Sequence, residues 1–186
     1  RLGRRNALNY TVAAGPFTRY EDGKSTKVSF ENSYTSDVFA EEGVVIETVG
    51  AWIQAAWGND RIAFGELRVV VRAPRHPLRS SHINASAQGA ILIGGSGLSE
   101  DVLDDAEEMQ VRGIIVGSVP AGLIPRLNAV NFPIIATEGI GDLSMSQAVF
   151  DLLTSLNGRE ASVCGELGSR WNQKRPYIVI PMPTQA

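Results

Sequence analysis

Histidine, cysteine and lysine are scarce in this 186-residue chain: two, one and three. A lone Cys164 cannot close an internal disulfide, which excludes a disulfide framework and favours a reducing compartment, hence a cytoplasmic location. His76 and His82 flank a proline in a basic stretch with no acidic or cysteine ligand set beside them. That argues against a zinc site and against a histidine-driven triad. No apolar run approaches the roughly 20 residues a membrane span needs, and no leader is visible. The opening Arg1-Leu2-Gly3-Arg4-Arg5 lacks an initiator methionine and reads as a trimmed chain or a domain of something longer. A nucleophile elbow of the form Gly-x-Ser-x-Gly is missing, as is the Gly-Lys-Ser/Thr of a phosphate loop. Cys164 lies in an apolar run without a neighbouring base and reads as a core thiol. No catalytic residue, metal or cofactor is therefore assigned. With 17 basic and 20 acidic side chains the net charge is −3, which gives no general pull toward nucleic acid.

What is present is enough apolar residue, 44% of the chain, to build a sizeable core. Phe17 to Tyr20 and Lys27 to Phe30 flank Asp22-Gly23, a hairpin signal because glycine tolerates positive φ. From Gly43 to Val71 short apolar stretches alternate with glycine. Val44 to Ile46, Ala51 to Ala56, Ile62 to Phe64 and Leu67 to Val71 read as strands, with Trp57-Gly58-Asn59-Asp60 as a turn. Residues 72–82 hold Pro74, Pro77 and three arginines, and read as a linker or edge crossing.

The period then changes. Ala90 to Ile93, Gly113 to Val116, Ile134 to Ala136 and Ala161 to Cys164 read as buried strands. Between the first three lie helices, one opened by Ser99 and carrying Val102, Leu103, Ala106 and Met109 on one face, and a shorter one over Ala121 to Ala129. A third helix is opened by a Ser144/Gln147 capping box and closed by Asn157-Gly158. Tyr177 to Ile180, between two prolines, reads as an edge strand returning to the first half. The expected architecture is α/β (α+β overall). A small β-barrel or barrel-sandwich with a loose N-terminus occupies 1–82, a compact parallel βαβαβαβ unit 83–168, and a returning strand 169–186.

Parallel strands place their ligand crevice at the carboxyl ends. Gly95, Ser96 and Gly97 follow the first strand and precede a helix, where backbone amides can cradle an anion. Gly95-x-Gly97 begins a dinucleotide fingerprint, but Glu100 stands where the third glycine belongs. Ser118 ends the second strand, and Thr137, Glu138 and Asp142 follow the third, with the two carboxylates as candidate bases or cation ligands. A separate cluster of Trp52, Trp57, Arg61 and Phe64 has the composition of an interface hot spot. Each grouping also has a plainer account: a tight strand-to-helix turn, a solvated loop, a barrel core.

Two resemblances enter on these residues. Gly50-Ala51-Trp52-Ile53, Gly65-Glu66-Leu67, and Ile83-Asn84-Ala85 through Gly89-Ala90-Ile91 resemble the strand–glycine rhythm of biotinyl/lipoyl-type barrel-sandwich domains. Such carriers need a lysine on an exposed hairpin, and Lys24, Lys27 and Lys174 stand in no such turn. Gly113-Ile114-Ile115-Val116-Gly117, Pro133 through Gly139 and Gly158-Arg159-Glu160-Ala161-Ser162 are similar to uncharacterised bacterial proteins with a swivelling-type α/β unit. There a KOW-type β-barrel is expected beyond a segment ending like Ile178-Val179-Ile180-Pro181. The resemblance brings no activity, and the nucleic-acid association of that module does not transfer to a chain that stops short of it.

The functional expectation is a non-catalytic binding or assembly module, with a protein partner or a second copy of itself against the aromatic β-surface. The alternative is an enzyme or sensor binding a small anionic ligand at the carboxyl ends of the parallel strands. Nucleic acid and membrane are not expected partners.

Overall fold

The computed structural model describes residues 33–39, 43–48, 50–168 and 175–181. It divides into two compact units, 1–51 with 181–186, and 52–180. The Asp22-Gly23 hairpin lies outside the described residues. In the first unit β1 (Ser33–Phe39) and β2 (Gly43–Thr48) form an antiparallel ribbon with a register irregularity between Thr35 and Asp37.

The second unit is built on one mixed sheet of eight strands. Its strands are β3 (Gly50–Gln54), β4 (Trp57–Gly58), β5 (Ile62–Val69), β6 (Ala90–Ile93), β7 (Gly113–Val119), β8 (Ile134–Ile140), β9 (Glu160–Cys164) and β10 (Tyr177–Pro181). Their order is β3-β10-β9-β5-β6-β7-β8-β4. Strands β5 to β8 are parallel neighbours, while β9, β10 and β4 add antiparallel pairings. The protein is thus a mixed α/β fold.

Four expectations are corrected. The fourth strand of the expected βαβαβαβ run, β9, pairs antiparallel with β5 and lies on the far side of it from β6. Helix α3 (Gln147–Ser155) returns the chain across the sheet, and Gly158 N–H donates to Leu67 O as β9 begins. Strands β3, β4 and β5 join this same sheet. Trp57-Gly58 is a two-residue edge strand pairing with Ala136 and Ile135, so the turn is confined to Asn59 and Asp60, the latter at φ 58. The returning strand β10 is not an edge: it lies between β3 and β9.

Strand β6 is apolar and buried throughout because both its faces are covered. On one face Ala90, Leu92, Ile114, Val116, Ile134 and Ala136 pack beneath α1 (Glu100–Glu108) and α2 (Ile124–Ala129). These helices contribute Val102, Leu103, Ala106 and Leu127, residues whose spacing keeps them on one side of a 3.6-residue turn. On the other face Leu67 pairs with Ile91, and Ile93, Ile115 and Ile135 continue the row across the sheet. Helix α3 (Gln147–Ser155) packs against β5 and buries Phe150 and Leu153. Its N-cap is Ser146 rather than the expected Ser144, because Glu138 reaches the Ser146 N–H. Gly158 follows the helix at φ 82, as a C-terminal glycine does.

Residues 70–89 carry the chain from β5 to the parallel β6 through short 3-10 turns at Ser80–His82 and Ala85–Ala87. They are no loose linker. His76 O accepts from the Gly95 and Ser96 amides, and Leu78 N–H donates to Gly97 O.

Candidate functional site: the carboxyl-end cleft and the uncovered sheet face

Because β6, β7 and β8 run in parallel, the segments after Ile93, Val119 and Ile140 reach one edge of the sheet. They border a cleft of about 750 Å³. Its polar lining is Arg79, Ser96, Gly97, Ser99, Gly141 and Asp142, and its apolar lining is Pro77, Leu78, Leu98, Pro120 and Ala121. Of the seven residues singled out in the sequence, Ser96, Gly97 and Asp142 border this cleft; Gly95, Ser118, Thr137 and Glu138 do not.

Those four have other work. Gly95 packs against backbone: a Cβ there would stand 2.5 Å from His76 O and 2.6 Å from Ala73 O. The Gly94 N–H donates to Ile115 O, and the Gly95 and Ser96 N–H groups to His76 O, so the amides of the glycine turn face partners inside the protein. Ser118 is 1% exposed; its hydroxyl donates to Gly141 O at 3.0 Å and accepts from Leu143 N–H at 2.8 Å. Glu138 accepts from Ser146 N–H at 3.0 Å at the head of α3, and Thr137 donates to Val116 O at 3.4 Å. Ser118 therefore staples the loop that carries Asp142.

Ser118→Ala strips Gly141 O and Leu143 N–H of a buried partner, and should lower stability by about 1–3 kcal/mol. Urea denaturation checks this, and a loss below about 0.5 kcal/mol would show that the staple contributes nothing.

The head of α1 borders the cleft at Ser99, but its own side chains serve it. Glu100 and Asp101 occupy the first turn. The Ser99 hydroxyl, then the Ser80 hydroxyl, hold the Asp101 carboxyl below its usual range, with Ser80 Oγ donating to Asp101 Oδ2 at 2.7 Å. A carboxylate already complements that helix end. Arg79 is the cleft's one cation among the described residues; it stands in the 72–82 stretch that reads as a linker, and only the folding of that stretch over the glycine turn brings it here.

The second grouping splits. Helices α1 and α2 cover β6 to β8 on their face, and among the described residues no helix lies above the same face of β5. Ile62 and Phe64 alternate with Leu67 along β5 and stand 39% and 40% exposed, and Trp52 on β3, opposite the buried Ile53, is 48% exposed. Trp57, expected beside them, is 8% exposed and belongs to the core under α1 and α2, where edge strand β4 places it. Arg61 is exposed, with Nε donating to Val130 O at 3.3 Å.

Among the described residues no group of three His, Cys, Asp or Glu side chains could hold a metal ion, and no helix is long and apolar enough to cross a membrane. A scan against protein-family models finds no match, and a search of curated proteins finds none. Among solved structures, the RNA-processing inhibitor RraA from Thermus thermophilis is similar over 75% of this chain and 87% of its own, at 16% identity and a TM-score of 0.43. The S-adenosylmethionine:2-dimethylmenaquinone methyltransferase from Geobacillus kaustophilus HTA426 is similar over 81% of this chain and 87% of its own, at 13% identity and a TM-score of 0.37.

Proposed function

We propose that the chain is a non-catalytic binding or assembly module whose contact surface is the uncovered part of the sheet. The observation that carries this is the exposure of Trp52, Ile62 and Phe64 on strands that no helix among the described residues covers on that side. Large apolar side chains gathered on an open face are the signature of an interaction surface, and aromatic anchors dominate the energetics of such contacts. The partner is a protein with an apolar face, or a second copy of the chain. The finer fold reading that accompanies it is a swivelling-type unit centred on the parallel run β5 to β8, kin to the KOW-linked bacterial proteins by its strand motifs. A cytoplasmic location belongs to the same reading, supported by the free, buried Cys164.

The test is a paired variant, Trp52→Ser with Phe64→Ser. Exposed positions of this kind change folding stability by only about 0.5 kcal/mol. Association, followed by sedimentation velocity over a concentration series and by capture from source lysate, should fall at least about tenfold, as loss of aromatic anchors does. An unchanged partner set together with an unchanged oligomeric state removes the proposal.

A further inference from the structure

Two opposite charges border the carboxyl-end cleft without neutralising each other. Several other charged side chains of the described residues are matched. Arg126 bridges Asp104 at 2.6 Å and Glu107 at 2.7 Å, Arg68 meets Glu66 at 3.2 Å, and Asp101, Asp151 and Glu138 each accept a hydrogen bond. The Arg79 guanidinium and the Asp142 carboxylate share the cleft, and neither has an ion-pair partner among the described residues. The same lining includes the buried Leu78 and Leu98. The volume, about 750 Å³, falls within the range of small-molecule sites.

The same surroundings decide what kind of molecule fits. A phosphate would need several amides or cations. The amides of Gly94, Gly95 and Ser96 donate to Ile115 O and His76 O, and Asp101 already complements the head of α1. A second negative charge near Asp142 would also be repelled. A purely apolar ligand would bury Arg79 and Asp142 unpaired. A molecule that brings one anion and one donor on an apolar body matches a lining with one cation, one carboxylate and apolar side chains. We propose that the cleft bordered by Arg79, Ser96 and Asp142 binds a small amphoteric acid of the amino-acid type. Its carboxylate faces Arg79, its ammonium faces Asp142, and its apolar side chain lies over Leu78 and Leu98. This goes beyond the sheet-face reading and does not depend on it.

Four matched probes test it: phenylalanine, 3-phenyllactate, 3-phenylpropionate and 2-phenylethylamine, each at about 10 mM, above the millimolar Kd expected of so small a ligand. The readout is the movement of the Ser96, Gly97 and Asp142 amide signals during titration of the whole chain. Phenylalanine should bind best and phenyllactate second. Phenylpropionate and phenylethylamine should each bind roughly tenfold weaker or less, having lost one charge-assisted contact. Arg79→Gln should erase the advantage of phenylalanine over phenylethylamine, and Asp142→Asn its advantage over phenylpropionate. Both side chains are exposed, so unchanged melting temperatures should accompany the loss. The proposal is overturned if no probe moves those signals, if phenylpropionate matches phenylalanine, or if both variants bind as the wild type does.

Discussion

Asn59→Leu should destabilise the protein by about 3–5 kcal/mol, a large share of the 5–15 kcal/mol that typically holds a domain folded. Asn59 follows edge strand β4 and is 4% exposed. Its Nδ2 donates to Leu127 O at 2.9 Å and to Phe132 O at 3.0 Å, while its Oδ1 accepts from Ile134 N–H at 2.9 Å. One side chain thereby serves the end of α2, the loop after it and the first residue of β8. Leucine matches the shape but leaves two carbonyls and one amide unpaired in the core. Each such group costs about 1–3 kcal/mol, reduced where the structure relaxes or water enters. Asn59→Asp is the informative companion. It keeps the acceptor for Ile134 but turns a donor into a carboxylate oxygen facing two carbonyls, so it should be no milder. Equilibrium urea denaturation, with the midpoint lowered at constant m, measures both. A loss under about 1 kcal/mol for leucine would mean that these bonds are not the anchor of β8.

That residue also shows what the sequence could not display. Asn59 stands among Gly58 and Asp60, and three turn-forming residues in a row read as a surface turn. Its partners lie 68 to 75 residues away, beyond any local pattern. Helices α1 and α3 and strands β6, β7 and β8 were legible because each keeps one period over a buried face. Strand β9 was equally legible as a strand, but its direction was not. An apolar run after a helix reads the same whether it pairs parallel with the previous strand or antiparallel with β5, and the choice lies in the path of the chain after Gly158. The cleft was legible by position, from the rule that places ligands at carboxyl strand ends, and less so by residue. Ser96, Gly97 and Asp142 border it, whereas Ser118 and Glu138 bond to loop and helix backbone instead. Hydroxyls and carboxylates near helix heads serve ligands and backbone amides with the same chemistry, so type and spacing alone do not separate the two uses. Trp57 and Trp52 differ in which edge of the sheet they occupy, β4 or β3, and the helices that cover the β4 end come later in the chain.

Gly117→Ala should be the most damaging single methyl among the described residues, with a loss of about 3 kcal/mol or more. Gly117 lies within β7, at the register irregularity between Val116 and Ser118. A Cβ there would stand 2.3 Å from Met145 N, 2.7 Å from Gly95 O and 2.7 Å from Leu143 O. All three are backbone atoms, so no side chain can swing aside. The same carbonyl, Gly95 O, accepts from both Gly117 N–H at 2.9 Å and Met145 N–H at 3.1 Å. A methyl would thus push the 94–97 turn and the 143–145 segment apart and break the bond that joins them. Gly122→Ala is the matching control, since nothing lies within 4 Å of its Cβ position. There the methyl only restricts the unfolded chain, and stability should hold or rise by about 0.4–1 kcal/mol. Equal effects at the two positions in urea denaturation would contradict the close approach at Gly117. Opposite signs would establish that Gly117 serves backbone contact, so that the carboxyl-end cleft takes its shape from packed main chain behind the turn and its chemistry from the side chains at its rim.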